Sequence, residues 1–160
     1  MEPWPYPVAD ILPHAGRMVL LDRVLGASAT AIEAELSIRP ENPFFEAARG
    51  IAAHIAIEWM AQACGAFVGL EAKRAGTLVR IGFLLGTRNF KAERPWFAPG
   101  ERLVVRAELV FRDGETGVFD CSLLDSDGPV ARAQLTLHQP EDLAGVLARQ
   151  GIDVTKLGQK

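Results

Sequence analysis

Three polar side chains recur at four-residue spacing in the most apolar, helix-like segment of the chain. They are His54, Glu58 and Gln62, and the residues between them are apolar. At ~3.6 residues per turn, side chains four apart lie on one stripe of a helix. A carboxylate in such surroundings is costly unless it is paired, hydrogen-bonded or protonated, and an imidazole beside it can accept a proton near neutral pH. This stripe is therefore the best candidate for proton-transfer chemistry.

Each of these side chains also has a purely structural interpretation. The Glu58 carboxylate could be satisfied by backbone donors or by an arginine such as Arg80 or Arg88, since buried acids rarely occur without a partner. His54 could be a core histidine bonded to a carbonyl group, and Gln62 could bond across an interface. The residues alone leave both interpretations open.

Metal and nucleotide chemistry have no matching pattern in the sequence. The 3 histidines are dispersed and the 2 cysteines, Cys64 and Cys121, are far apart, so no metal-ligand spacing is present. Both cysteines lie in apolar segments and are predicted to be buried thiols of a reducing compartment, and no base adjoins Cys64 to activate it. No glycine-rich phosphate-binding loop occurs. We therefore predict neither a metal nor a cofactor.

Composition narrows the class of protein further. The chain has 160 residues, of which 49% are hydrophobic, and this is long enough to bury one substantial core. The net charge is −3 and no basic face is apparent, which argues against nucleic acid or anionic membranes as partners. The N-terminus resembles no secretory signal, and no uncharged run approaches the ~20 residues that span a bilayer. We predict a cytoplasmic protein.

The order of the predicted elements indicates an α+β domain. We expect strands at 18–25, 31–38, 79–90, 103–111, 118–124 and 130–137, and a buried helix from Ile51 to about Lys73. Asp113-Gly114 and Asp127-Gly128 separate the last strands, and Asp-Gly is a strong hairpin signal. The simplest packing wraps a curved antiparallel sheet around the helix in one domain over residues 1–139, with a short helix and tail over 140–160. A second copy is expected to cover the remaining helix face.

Two glycines lie in the first strand after the helix. Gly82 and Gly86 could relieve crowding where this strand crosses the helix, or they could let a substrate approach the backbone closely. The pattern does not choose between these interpretations.

Several strings of the sequence, in order, resemble the hotdog-fold 3-hydroxyacyl-acyl carrier protein dehydratases. The strings are Ile11-Leu12-Pro13-His14 with Leu20-Leu21-Asp22-Arg23-Val24, Glu41-Asn42-Pro43-Phe44-Phe45, Glu58-Trp59-Met60-Ala61-Gln62, and Ala98-Pro99-Gly100. The resemblance covers roughly residues 8–138, and the first and third strings are specific in combination.

This resemblance implies a fold, an assembly and an activity. The fold would be a helix wrapped by a long antiparallel sheet, paired with a second subunit into one continuous sheet with the active site at the interface. In the family, a histidine removes the α-proton of a 3-hydroxyacyl thioester and a carboxylate on the central helix handles the departing hydroxyl. Backbone amides polarise the thioester carbonyl; here they would lie around Ile51 and Ala52 or near Gly82.

The sequence departs from the family pattern before the central helix. The usual Gly-His-Phe-Pro loop, whose histidine is the base, is replaced by residues 45–53, which contain no histidine and no proline. This departure resembles the divergent dehydratase-like proteins of aryl polyene biosynthesis, which keep a Gly-x-Leu-Leu-Gly-x-Arg strand, here Gly82 to Arg88. Our hypothesis is that His54 replaces the missing loop histidine and takes the α-proton. Glu58 would protonate the leaving hydroxyl, and Gln62, Gly82 and Gly86 would have substrate-binding or supporting roles.

Three functions are compatible with this pattern. The favoured one is a dehydratase acting on 3-hydroxyacyl thioesters held on acyl carrier protein or coenzyme A. The second is an acyl thioesterase, because hotdog folds host both chemistries. The third is a non-catalytic partner subunit of a heterodimeric dehydratase, which the missing loop histidine suggests. The expected assembly is a homodimer or a heterodimer with another hotdog subunit.

Overall fold

One long helix and one six-stranded antiparallel sheet form the bulk of the structure, a computed structural model that describes residues 7–12, 16–79, 82–140, 148–149 and 151. The helices are α1 (Val8–Ile11) and α2 (Ala56–Arg74), with 3-10 turns at Gly16–Met18 and Ala53–Ile55. The strands are β1 (Arg23–Ala27), β2 (Ala31–Ser37), β3 (Ile51–Ala52), β4 (Phe83–Ala92), β5 (Trp96–Phe97), β6 (Arg102–Asp113), β7 (Thr116–Asp125) and β8 (Gly128–His138). The main sheet has the order β1-β2-β6-β7-β8-β4, and β3 pairs with β5. The predicted α+β architecture is confirmed.

The core lies between α2 and the inward face of the sheet. Alternate residues of the strands are buried, for example Leu103, Val105 and Ala107 on β6, as the pleat requires. From the helix, Phe67 meets the ring of Phe119 edge-on, with centroids 5.8 Å apart. Burying a large apolar side chain contributes about 1.5–3 kcal/mol. These contacts fix which face of α2 the sheet covers.

Helix α2 begins five residues later than the predicted start at Ile51. Ile51 instead pairs with Phe97 across β3 and β5, and the Ala53 amide donates to the carbonyl of Pro95 at 2.9 Å. Gly50 permits this bend, because its φ is +94° and a Cβ there would lie 1.9 Å from the Phe97 carbonyl oxygen. A short strand pair therefore positions the residues that lead into the helix.

Strand β4 lies at the end of the sheet order and is more exposed than the other long strands. It was predicted over residues 79–90, whereas it runs from Phe83 to Ala92 and has irregular register at two places against β8. Leu84 and Leu85 are 42% and 61% exposed. Large apolar side chains on an edge strand mark a surface suited to strand pairing with another chain.

Two glycines of α2, one helical turn apart, provide a matched test of helix packing. A Cβ on Gly69 would lie 1.8 Å from the backbone oxygen of Ile11 in α1, whereas one on Gly65 would only touch a Leu12 methyl at 3.5 Å. Both substitutions by alanine gain the same helix propensity, up to ~1 kcal/mol. We expect Gly69→Ala to lower the free energy of unfolding by about 1–3 kcal/mol through overpacking. Gly65→Ala should leave the free energy of unfolding unchanged or raise it. Urea denaturation of both variants measures this, and equal effects of the two substitutions would contradict this packing.

The predicted helix and tail after residue 139 lie mostly outside the described residues, which there comprise Pro140, Ala148, Arg149 and Gly151. No helix among the described residues is long and apolar enough to span a membrane.

Candidate functional site

A cavity of about 450 Å³ opens between α2 and the ends of β4, β7 and β8. Its helical wall is one stripe at three- and four-residue spacing: Glu58, Ala61, Gly65, Val68 and Ala72. From the first to the last of these, the stripe is about 21 Å long at 1.5 Å per residue. The cavity is therefore a long groove with a carboxylate near the start of the helix and small or apolar side chains along most of its length.

The sheet forms the opposite wall. Gly117 and Leu137 are register partners on β7 and β8, and both line the cavity together with Phe119 and Leu84. A Cβ on Gly117 would lie 3.1 Å from the Phe119 ring. A larger residue at position 117 would therefore push this ring out of its place on the cavity wall.

An ion pair bounds the end of the cavity farthest from Glu58. Arg112, near the β6–β7 turn, donates two hydrogen bonds to the Glu71 carboxylate at 2.6 and 3.2 Å. The two side chains are 41% and 43% exposed, so the pair contributes at most about 1 kcal/mol to stability. Its main effect is to connect the hairpin to α2 at the mouth. Because 41 residues separate the partners, sequence spacing gave no signal for it.

Glu58 and Gln62 are in contact, as their spacing predicted. Gln62 is 0% exposed, and its Oε1 accepts from the Leu20 amide at 2.9 Å while its Nε2 donates to the Met18 carbonyl at 2.6 Å. These two bonds fix the amide orientation and direct the second hydrogen of Nε2 toward Glu58 Oε1, 3.5 Å away. Gln62 also explains why the first strand begins at Arg23 rather than Met18, since it holds residues 18–20 against α2.

The other predicted site residues are not all in this cavity. His54 lies on the 3-10 turn before α2, is exposed, and makes no hydrogen bond or ion pair with any described residue. Gly82 lines the cavity and Gly86 does not. The crowding considered for these glycines is absent: a Cβ on Gly82 would come no closer than 3.8 Å to another described residue, and one on Gly86 would meet none within 4 Å.

Of the two arginines considered as partners for Glu58, Arg80 lies outside the described residues. The Arg88 side chain is exposed and makes no ion pair or hydrogen bond with a described residue. Of the backbone amides proposed to polarise the thioester carbonyl, that of Ile51 belongs to the β3–β5 ladder. Two residues later, the Ala53 amide already donates to the Pro95 carbonyl.

The two cysteines meet at the cavity wall, which Cys64 helps to line. Cys64 and Cys121 are both buried and free, with their sulfur atoms 3.6 Å apart. Burial and the contact with Cys121 raise the pKa of the Cys64 thiol well above its usual value, so it stays protonated and is a poor nucleophile. Among the described residues, no group of three or more histidine, cysteine or acidic side chains could hold a metal ion.

His138 is the last residue of β8. It is half-buried, its Nδ1 lies 3.1 Å from the Thr116 hydroxyl, and its Nε2 lies 3.5 Å from the Glu115 carboxylate. The cross-strand pairing of Thr116 with His138 produces this cluster beside the cavity mouth.

A long helix wrapped by a curved antiparallel sheet, with one carboxylate at the head of the cavity between them, defines the chain as a hotdog-fold protein. The model of the ApeP-like family, described as ApeP dehydratase, matches residues 6–148. The chain therefore belongs to the ApeP-like dehydratase family, which confirms the resemblance found in the sequence.

Solved structures agree with this assignment. A chain of the dehydratase heterocomplex ApeI:P from Xenorhabdus doucetiae is 26% identical, with a TM-score of 0.83 over 89% of this chain and 97% of that one. The PaaI protein of E. coli is 14% identical, with a TM-score of 0.57 over 72% of this chain and 81% of that one. A hypothetical thioesterase from Streptococcus pneumoniae is 12% identical, with a TM-score of 0.56 over 74% and 84%. The last two show the shared fold alone. No curated protein matches the sequence.

Proposed function

We propose that this chain is a subunit of a dehydratase that removes water from 3-hydroxyacyl thioesters of polyene-type biosynthesis, carried by acyl carrier protein or coenzyme A. The observation that carries the proposal is Glu58 at the head of a groove about 21 Å long, whose helical wall is mostly small or apolar side chains. An extended acyl chain fits such a groove, and the reacting carbons of the substrate would then lie beside the carboxylate. The free thiols of Cys64 and Cys121 suit a reducing, cytoplasmic setting.

The elimination requires a base at C2 and an acid at C3. His54 takes the C2 proton, the electron pair of the C–H bond forms the C2–C3 double bond, and the C3–O bond breaks. The hydroxyl leaves as water with the proton of the Glu58 carboxyl group, whose orientation Gln62 supports. Positioned proton transfer of this kind contributes typically 10²–10⁴-fold in rate.

A second hotdog subunit completes the site in this proposal. The outer edge of β4 carries exposed Leu84 and Leu85, and His54 is exposed beside the start of α2. A partner strand along this edge would cover the leucines and continue the sheet. The similar chain from Xenorhabdus doucetiae belongs to a heterocomplex, which favours a different hotdog protein as the partner.

The same observations favour a non-catalytic partner role as the second candidate, because His54 lies outside the cavity. The test is loss of water from a 3-hydroxyacyl thioester, followed by enoyl absorbance, with the purified chain alone and with a co-expressed second hotdog subunit. We expect activity at least 10²-fold higher in the complex, since the complete set of catalytic groups is present only there. Equal absence of dehydration in both preparations contradicts the proposal, and thiol release without dehydration identifies a thioesterase instead.

A further inference from the structure

A row of mostly charged side chains crosses the outward face of the sheet and ends in two neighbouring cations. Register pairing places Glu33, Arg106, Ser122, Arg132 and Lys91 side by side on β2, β6, β7, β8 and β4. At the β2 end, Arg106 binds Glu33 at 3.0 Å. At the β4 end, Arg132 and Lys91 are direct cross-strand neighbours, both exposed, and neither side chain bonds to any described residue.

This arrangement of two like charges destabilises the isolated chain. Side chains directly opposite on antiparallel strands have Cβ atoms about 4.5–5.5 Å apart, and like charges in that relation are destabilising. The chain as a whole carries a net charge of −3, yet no acid among the described residues forms an ion pair with either cation. Glu93 follows two residues after Lys91 and forms no ion pair with either cation within 4.0 Å. An anion from outside the chain would remove the repulsion.

The two cations line a separate hollow of about 460 Å³. The acid in its lining, Asp120, accepts a hydrogen bond from Gln134 Nε2 at 3.0 Å and forms no ion pair with Lys91 or Arg132 within 4.0 Å. Asn89, at the irregular register of β4, has a left-handed φ of 56° and also lines the hollow. Two cations beside neutral amides match the charge and hydrogen-bonding demands of a phosphate group.

We propose that Lys91 and Arg132 bind the phosphate group of a phosphopantetheine thioester, an inference that rests on the proposed function above. The position of the pair supports this ligand. β4 ends at Ala92, one residue past Lys91. The chain then runs through Glu93, whose amide donates to the Val130 carbonyl, to Pro95, whose carbonyl accepts from the Ala53 amide just before α2. The cations therefore lie toward the end of α2 that carries Glu58, whereas Glu71 lies at the other end of the groove.

Chain lengths agree with this placement. Lys91 and Pro95 are four residues apart, so at most about 13 Å separates them at ~3.3 Å per residue. The pantetheine arm between phosphate and sulfur has a backbone as long as about four extended residues, roughly 13–14 Å. Because β4 ends at Ala92, an arm whose phosphate is held on the outward face can pass around the end of this strand and bring the thioester near the start of α2 and the acyl chain into the groove.

The experiment measures binding without turnover. Dissociation constants of 4′-phosphopantetheine and of pantetheine are determined by calorimetry, for the chain and for its complex with a second hotdog subunit. We expect phosphopantetheine to bind at least tenfold more tightly than pantetheine, and Lys91→Ala/Arg132→Ala to abolish this difference. The matched control, Lys73→Ala/Arg74→Ala, removes two exposed positive charges at the far end of α2 that form no ion pair with a described residue, and it should preserve the difference.

Equal binding of the two ligands by the unaltered protein overturns the proposal, as does a preference that survives the double substitution. Coenzyme A and a loaded carrier protein then identify the natural source of the phosphate. If the double substitution weakens only carrier protein binding, the cations contact the protein surface and the phosphate proposal is wrong. A phosphate preference that persists in a protein with no dehydratase activity leaves this site intact and contradicts only the proposed function.

Discussion

Glu58→Gln should lower the dehydration rate of the assembled enzyme by about 10²–10⁴-fold, the usual contribution of a positioned general acid. The substitution keeps the shape of the side chain and its contact distance to Gln62, but an amide cannot protonate a departing hydroxyl. Since Glu58 is half-buried at the cavity wall and Gln62 is anchored independently by Met18 and Leu20, the fold should be retained. The readout is kcat for loss of water from a 3-hydroxyacyl thioester, with the unfolding midpoint measured in parallel.

Glu71→Gln provides the matched control for this substitution. Glu71 lines the same cavity and loses the same charge, but it lies at the opposite end and is bonded to Arg112. We expect its effect on kcat to stay within a few fold. If both variants lose activity equally, the cavity needs negative charge in general and Glu58 has no specific role in proton transfer.

The elements of the fold were predictable where the signals are local. Asp113-Gly114 and the turn that contains Gly128 join β6–β7 and β7–β8 as the sequence indicated, because each turn needs a residue that tolerates a positive φ. The long helix was equally clear, since a run without proline that is apolar on most sides must be buried. The start of that helix was not, because the pairing of Ile51 with Phe97 joins residues 46 positions apart.

In the candidate site, too, only the local contacts were predictable. Spacing alone placed Glu58 and Gln62 on one stripe, and the structure brings them together. It could not reveal that Gln62 is fixed by the backbone of residues 18–20, or that Arg112 meets Glu71 at the cavity mouth. These contacts depend on strand register and chain path, which no local pattern encodes.

His54→Gln should reduce dehydration by about 10²–10⁴-fold in the assembled complex, if this imidazole accepts the C2 proton as proposed. The side chain is exposed in the single chain and makes no hydrogen bond or ion pair with any described residue, so its loss should not alter the free energy of unfolding. The measurement is exchange of the C2 proton of the substrate for deuterium, together with kcat. Exchange and turnover should fall together.

His138→Gln is the matched control for His54→Gln. His138 is bonded to Thr116 and lies near Glu115 beside the cavity mouth, away from the start of α2. Its replacement should therefore leave C2 exchange unchanged. Normal turnover by the complex that carries His54→Gln would assign the base to the second subunit. Glu58 would then remain as the group that this chain contributes to the reaction, and the missing loop histidine would be explained by a division of acid and base between two subunits.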